Sequence, residues 1–184
     1  MNIKDKISDY GKNKDDIEKW LSVKGEDKYA VFLRMLEVKG IETTWNNVSG
    51  LYRYDKRLLF NNFRYLSFFE EYLRAILMNE KKTDYKKLHD NSVLRDCMNE
   101  IAKLNLDVLG KYFDDVDTIQ RMYDLNTLRN TIAHNKIILH QENCKQCMEV
   151  FHTVLPADYR ENYKKEINNS AEDLDVDRSL VIRI

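Results

Sequence analysis

The strongest constraint on this chain is one apolar stripe. From about Leu51 to Asn79, Leu59, Phe63, Leu66, Phe69, Leu73, Ile76 and Leu77 recur at spacings of three and four, the pattern of a helix with one buried face. Read as one helix, the stretch is about 43 Å long at about 1.5 Å per residue. Little elsewhere interrupts helices, since the 184 residues include five Gly and one Pro. That is about 3 % of the chain, against about 12 % in average proteins. A turn-rich β-sandwich, a collagen-like repeat and a proline-rich linker are disfavoured on this ground. The reading is an all-α chain with one long central helix.

Charge narrows the function classes. The formal net charge is -1, which does not fit a generically basic protein that coats DNA. No run of about 18 apolar residues suggests a membrane span. The first residues, MNIKDKISDYGKNKDD, are too polar for a secretory leader. Three cysteines without a framework of matched spacings suit a reducing, cytoplasmic setting.

Short helices flank the long one. Asp15 to Ser22 and Lys28 to Lys39 read as two helices, with Gly25 and Gly40 as their stops. The TTWNNVSG stretch around Trp45 reads as a turn-rich joint. Ser92 to Leu109, Asp117 to Asn135 and Asn143 to Leu155 are three further helical patterns, the last ended by Pro156. The organisation expected is a flexible segment over 1–14, one helical domain over 15–166, and a polar tail over 167–184. The tail's apolar end, SLVIRI, is either a small strand or a docking segment.

The segment richest in chemistry is LRNTIAHNKI, Leu128 to Ile137. On an ideal helix Met122, Leu125, Leu128 and Ile132 share one face, and Arg129 falls inside that apolar sector. A guanidinium there is costly unless it is paired or faces a cleft or partner, and such breaks in pattern concentrate at functional sites. Asn126, Asn130 and His134 stack along one ridge, where an asparagine one turn before a histidine can orient the imidazole. Arg129 and His134 point about 140° apart on an ideal helix. A second copy of the chain or a distorted turn would be needed to focus both on one phosphate. The pair suits RNA cleavage without metal. Histidine takes a proton from the ribose 2′-hydroxyl or gives one to the leaving 5′-oxygen, and arginine stabilises the charge that builds on phosphorus.

Arg129-Asn130-Thr131-Ile132-Ala133-His134 resembles the signature of HEPN-domain ribonucleases: arginine, a polar residue, then histidine, late in a helical bundle. The upstream run YRYDKRLLFNNFRYLSFFEEYLRAIL, Tyr52 to Leu77, resembles the corresponding helix of the Abi-like (abortive infection) branch, with Asp55, Glu70 or Glu71, and Arg74 in the matching places. The resemblance covers roughly Leu51 to His140. It implies a HEPN-like helical bundle, commonly a homodimer, with the arginine and histidine of both protomers lining one cleft. It further implies a metal-independent endoribonuclease, leaving a 2′,3′-cyclic phosphate, in anti-phage abortive infection or toxin–antitoxin systems. Arg129, Asn130 and His134 are then the catalytic residues, RNA is the substrate, and an RNA or protein antitoxin is a partner. No cofactor and no membrane are expected. The alternative is a HEPN-like module that binds RNA or a protein partner without cutting.

Other features have plainer readings beside the functional one. Arg53, Arg57 and Arg64 lie within about 40° of one direction on the long helix. They either contact RNA phosphates or form a solvated face with pairs such as Arg64–Glu71. Glu70, Glu71, Arg74 and Asn126 are supporting candidates, one of the two glutamates as a partner for Arg129; Glu70 and Arg74 also have the spacing to pair with each other. His140, Cys144 and Cys147 superficially suggest a metal site. The cysteines share the helical face of Met148 and Phe151, however, and a second ligand pair is missing, so no metal is assigned. His89 and His152 have no constellation around them.

Overall fold

The computed structural model describes residues 2–82, 84, 94–114 and 125–184. Among these residues every regular element is helical and no strand occurs. No helix in them is long and apolar enough to cross a membrane. The main helices are α1 (Lys14–Lys24), α2 (Glu26–Lys39), α3 (Trp45–Lys81), α4 (Leu94–Ile101), α5 (Leu106–Leu109), α6 (Leu125–Ala133), α7 (Cys144–Val154) and α8 (Ala157–Asn168). Contacts divide the chain into two compact units, where the sequence suggested one helical domain. The first combines the chain up to Leu58 with Asn169–Ile182; the second combines Leu59–Asn168 with Arg183 and Ile184. Helix α3 contributes to both.

In the first unit, the glycines end helices as expected. Gly40 takes a left-handed conformation, φ 67°, and its N–H caps α2 by donating to Leu36 and Glu37 carbonyls. The segment before α1, expected to be flexible, is instead tied down. Ile3 and Ile7 are buried, Ser8 N–H donates to Thr43 O at 3.0 Å, and Thr43 Oγ1 donates to Lys6 O at 2.6 Å. Two isoleucines at a spacing of four outweigh the polar composition around them, because their burial repays the ordering of a short segment.

Helix α3 starts earlier than the stripe suggested. Asn47 N–H donates to Thr44 Oγ1 at 3.2 Å, and Trp45 N–H donates to Asp9 Oδ1 at 2.7 Å. Those acceptors meet amide donors that an uncapped helix start leaves open. The presumed joint is therefore a capped first turn, and the helix is about 55 Å long. Gly50 lies inside it, where glycine costs about 0.5–1 kcal/mol. The reason is the tail: a Cβ at Gly50 would stand 2.5 Å from the Asp175 carbonyl oxygen. Asn46 hydrogen-bonds the Asp175 carboxylate, Arg57 Nη1 donates to Glu172 O, and Ile182 N–H donates to the Tyr54 hydroxyl at 2.7 Å. The tail thus docks, through a 3-10 turn at Arg178–Leu180 and extended residues rather than a strand. Gly50→Ala is expected to displace it, costing about 1–3 kcal/mol and speeding proteolysis between residues 169 and 182. Unchanged proteolysis would contradict the role given to Gly50.

The second unit is packed around the rest of α3. Leu66, Phe69, Leu73, Ile76 and Leu77 are buried as the stripe predicts, but Phe63 is 54 % exposed. On a regular helix Phe63 points about 120° from Phe69, off the buried arc although its spacing to Leu59 and Leu66 is helical. Phe69 meets Phe151 of α7 edge-on at 5.6 Å, and Phe151 meets Tyr163 of α8 at 5.1 Å. The Tyr163 hydroxyl donates to Asn62 Oδ1 at 2.7 Å inside this core. Cys144 and Cys147 are buried with Met148 on α7. The pattern over Ser92–Leu109 is split between α4 and α5, because the Asn105 side chain accepts from Val108 N–H at 2.9 Å and starts a new turn. His89, Ser92, Met122 and residues 117–124 lie outside the described residues.

His152 of α7 is a titrating group within this unit. Its Nε2 is buried without a hydrogen-bond partner among the described residues. Burial chiefly, then the Lys164 charge, lowers its pKa from the ordinary value, with Arg160 adding to this and Glu161 opposing it. The unfolded chain therefore binds more protons than the folded one once pH falls below about 6.5. Stability present above that value is expected to fall as pH drops toward the folded pKa. His152→Gln should flatten this acid slope in denaturation measured at pH 7.5 and pH 5; an unaltered slope would exclude His152 as its source.

Candidate functional site

Helix α6 carries the arginine, and its last turn delivers the histidine. The helix stops at Ala133, short of the expected Asn135, because Asn135 takes a left-handed φ of 49°. Asn135 N–H donates to Ile132 O at 3.0 Å and Lys136 N–H to Thr131 O at 2.9 Å. This pairing closes a helix C-terminus around a left-handed residue, a position asparagine tolerates. His134 is thus the last residue held by the helix, its N–H donating to Asn130 O at 3.1 Å, and its side chain is exposed. The expected ridge is accordingly shorter. Asn126 is half-buried and Asn130 exposed, and no side-chain hydrogen bond joins Asn130 to His134 among the described residues. The orienting role expected of Asn130 has no hydrogen bond behind it.

Arg129 faces the long helix. Its Nε lies 3.9 Å from Glu70 Oε1, with the arginine side chain 36 % exposed and that of Glu70 21 %. Glu70 Oε2 in turn lies 3.4 Å from Arg74 Nη2, and Glu71 Oε1 lies 2.7 Å from Arg74 Nη1. Arg74 is buried, so the two glutamates one turn before it compensate a charge removed from water. Both sequence-level readings of Glu70 therefore hold together: it pairs with Arg74 on its own helix and with Arg129 across to α6. Glu71 serves Arg74 alone among the described residues. Cys97 of α4 is fully buried, and its thiol pKa is raised by burial against the opposing pull of Arg74.

The chemistry available follows from these distances. At 3.9 Å the Arg129–Glu70 pair is an ion pair without a hydrogen bond, and among the described residues the Arg129 guanidinium donates to no acceptor. A guanidinium carries five N–H donors in a fork matched to phosphate oxygens. Arg129 has a carboxylate beside it at 3.9 Å and makes no guanidinium hydrogen bond among the described residues. The sequence pointed to Arg129 through its misfit on an apolar face, and the misfit is resolved by Glu70.

The three arginines of α3 do not form one free cationic face. Arg57 is engaged with the carbonyls of Ser170 and Glu172. Arg64 pairs with Glu166 of α8 rather than with Glu71, and lies over the Tyr65 ring at 5.0 Å. Arg53 is exposed and donates to Ser49 O at 3.3 Å. Asp55 is buried in the first unit with Lys56 Nζ 3.7 Å away.

Among the described residues no group of three or more histidine, cysteine or acidic side chains could hold a metal ion. Comparison with protein-family models, curated proteins and solved structures gives no match to this chain.

Proposed function

We propose that this chain is a metal-independent endoribonuclease of the HEPN type. The observation that carries the reading is Arg129, beside Glu70 at 3.9 Å and with no guanidinium hydrogen bond among the described residues, on the helix that an exposed His134 directly follows. In the proposed reaction His134 moves the proton, either from the 2′-hydroxyl that attacks phosphorus or to the 5′-oxygen that leaves. Arg129 stabilises the negative charge of the pentacoordinate transition state. The P–O5′ bond breaks as the O2′–P bond forms, giving a 2′,3′-cyclic phosphate and a 5′-hydroxyl. Asn130, exposed one turn before His134, contacts the substrate rather than the imidazole. The residue order of the motif and the long helix upstream support the HEPN assignment. Two copies paired about a two-fold axis would bring both arginine–histidine pairs into one cleft, and abortive infection or toxin–antitoxin defence in the cytoplasm is the setting that resemblance suggests.

The test is incubation of RNA with the purified chain in excess EDTA, followed by analysis of the ends. Cyclic phosphate termini are expected, with DNA of the same sequence left intact. RNA that remains whole, or cleavage that requires added metal, would overturn the proposal; binding without cleavage would identify a non-catalytic RNA-binding module instead.

A further inference from the structure

The first unit contains a pocket that the nuclease reading does not use. Its volume is about 580 Å³, and Trp20, Tyr29, Trp45, Tyr52, Lys24 and Arg53 contribute to its walls. That size lies within the range of small-molecule sites. The aromatic walls are held in place by their own packing: Tyr29 stacks on Tyr52 at 5.0 Å and tilts against Trp45 at 5.3 Å. Asp16 accepts from both indoles, from Trp20 Nε1 at 2.9 Å and from Trp45 Nε1 at 2.7 Å. The one carboxylate lining the pocket among the described residues is thereby committed to fixing the two tryptophans. Trp20 remains 36 % exposed.

Two further observations point to a ligand. Tyr29 is 98 % buried, its relative exposure being 2 %, yet it lines the pocket. Its hydroxyl makes no hydrogen bond among the described residues, and its oxygen is not sealed from solvent. Burial pushes this phenol up to about 12, so it stays protonated and offers a donor. The second observation is the charge. Lys19 and Lys24 lie 5.4 and 5.8 Å from the Trp20 ring centre, and Lys56 lies 5.8 Å from that of Tyr52. Burial chiefly lowers the Lys56 pKa, with Lys28 and Lys24 adding to this and the Asp55 carboxylate opposing it. These cations gather beside the aromatic walls with Arg53 among the lining residues.

We infer that this pocket binds a nucleotide, its base against the aromatic walls and its phosphate at Lys24 and Arg53. The alternatives match fewer of the features. A quaternary ammonium would stack on the rings but be repelled by Lys24 and Arg53. Inorganic phosphate would meet the cations and leave the aromatic walls unused. A base joined to a phosphate uses both, because bases stack on aromatic side chains irrespective of sequence and phosphate favours a cationic rim. The same chemistry is offered by a free nucleotide and by a nucleotide within an RNA strand.

The only tryptophans of the chain are Trp20 and Trp45, so intrinsic tryptophan fluorescence reports on this pocket directly. Each of the four ribonucleoside monophosphates is titrated into the full chain, beside adenosine, inorganic phosphate and a short oligoribonucleotide. Saturable quenching by a monophosphate is expected, at least about tenfold tighter than by adenosine or phosphate alone. Lys24→Ala with Arg53→Ala should weaken it about tenfold or more and reduce its salt dependence. Tyr29→Phe, which removes one hydroxyl, should weaken it about fivefold. Tighter binding of the oligonucleotide assigns the pocket to an RNA strand; equal or weaker binding assigns it to a free nucleotide. No saturable quenching up to about 10 mM, an affinity weaker than any useful small-molecule site, would overturn the inference. So would wild-type affinity in both variants. His134→Ala should bind as the wild type does, so the pocket and the nuclease reading stand or fall separately.

Discussion

RNA cleavage is expected to drop by about 10²–10⁴-fold when His134 is replaced by alanine, the range typical for losing a positioned acid–base group, while far-UV circular dichroism stays unchanged. The second half of that expectation comes from where His134 sits. Its side chain is exposed, and its link to the helix is a backbone hydrogen bond to Asn130 O that alanine keeps. Arg129→Ala should lose activity to a similar degree, but for a different reason and with a different stability signature. Removing that guanidinium leaves Glu70 still paired with Arg74 at 3.4 Å, so no carboxylate is stranded and the fold should be retained. Full cleavage by either variant would remove the mechanism. Glu70→Gln leaves Arg129 intact but neutralises a carboxylate shared with the buried Arg74, so its cleavage is to be compared with its stability.

A second large effect is expected at Phe69. Phe69→Ala should cost about 3–5 kcal/mol, a large fraction of the roughly 5–15 kcal/mol that holds a typical domain folded. Phe69 is fully buried, and its ring meets Phe151 edge-on at 5.6 Å. Deleting it removes apolar contact with α7 and opens a cavity that rigid neighbours only partly fill. Denaturant unfolding followed by circular dichroism measures the loss directly. A change below about 1 kcal/mol would mean that the site collapses freely, against the packing described. Because Phe69 precedes Glu70, the same variant should weaken cleavage through loss of position rather than of chemistry.

Some of this architecture was legible in local spacing. The repeat from Leu66 to Leu77 announced the buried face of α3, since those residues recur within one helix and need no distant partner to be recognised. Gly40 announced the end of α2 because only the local backbone conformation matters there. The start of α3 was harder to read. Its capping acceptor Thr44 is local, but the Asp9 carboxylate that accepts from Trp45 N–H comes from a segment whose composition suggested flexibility. Phe63 misled for a related reason: helical spacing alone does not say where the edge of the buried arc falls.

The sequence by itself determined that the chain is helical, where its longest apolar face runs, and that Arg129 is out of place on an apolar face. These follow from the period of the side chains and the scarcity of breakers, both properties of neighbouring residues. Tertiary structure alone decided that Glu70 compensates Arg129, that the tail lies against Gly50, and that two tryptophans share Asp16 beside a pocket. Each of these depends on groups remote in sequence coming within a few ångströms, and no helical period encodes which distant group arrives.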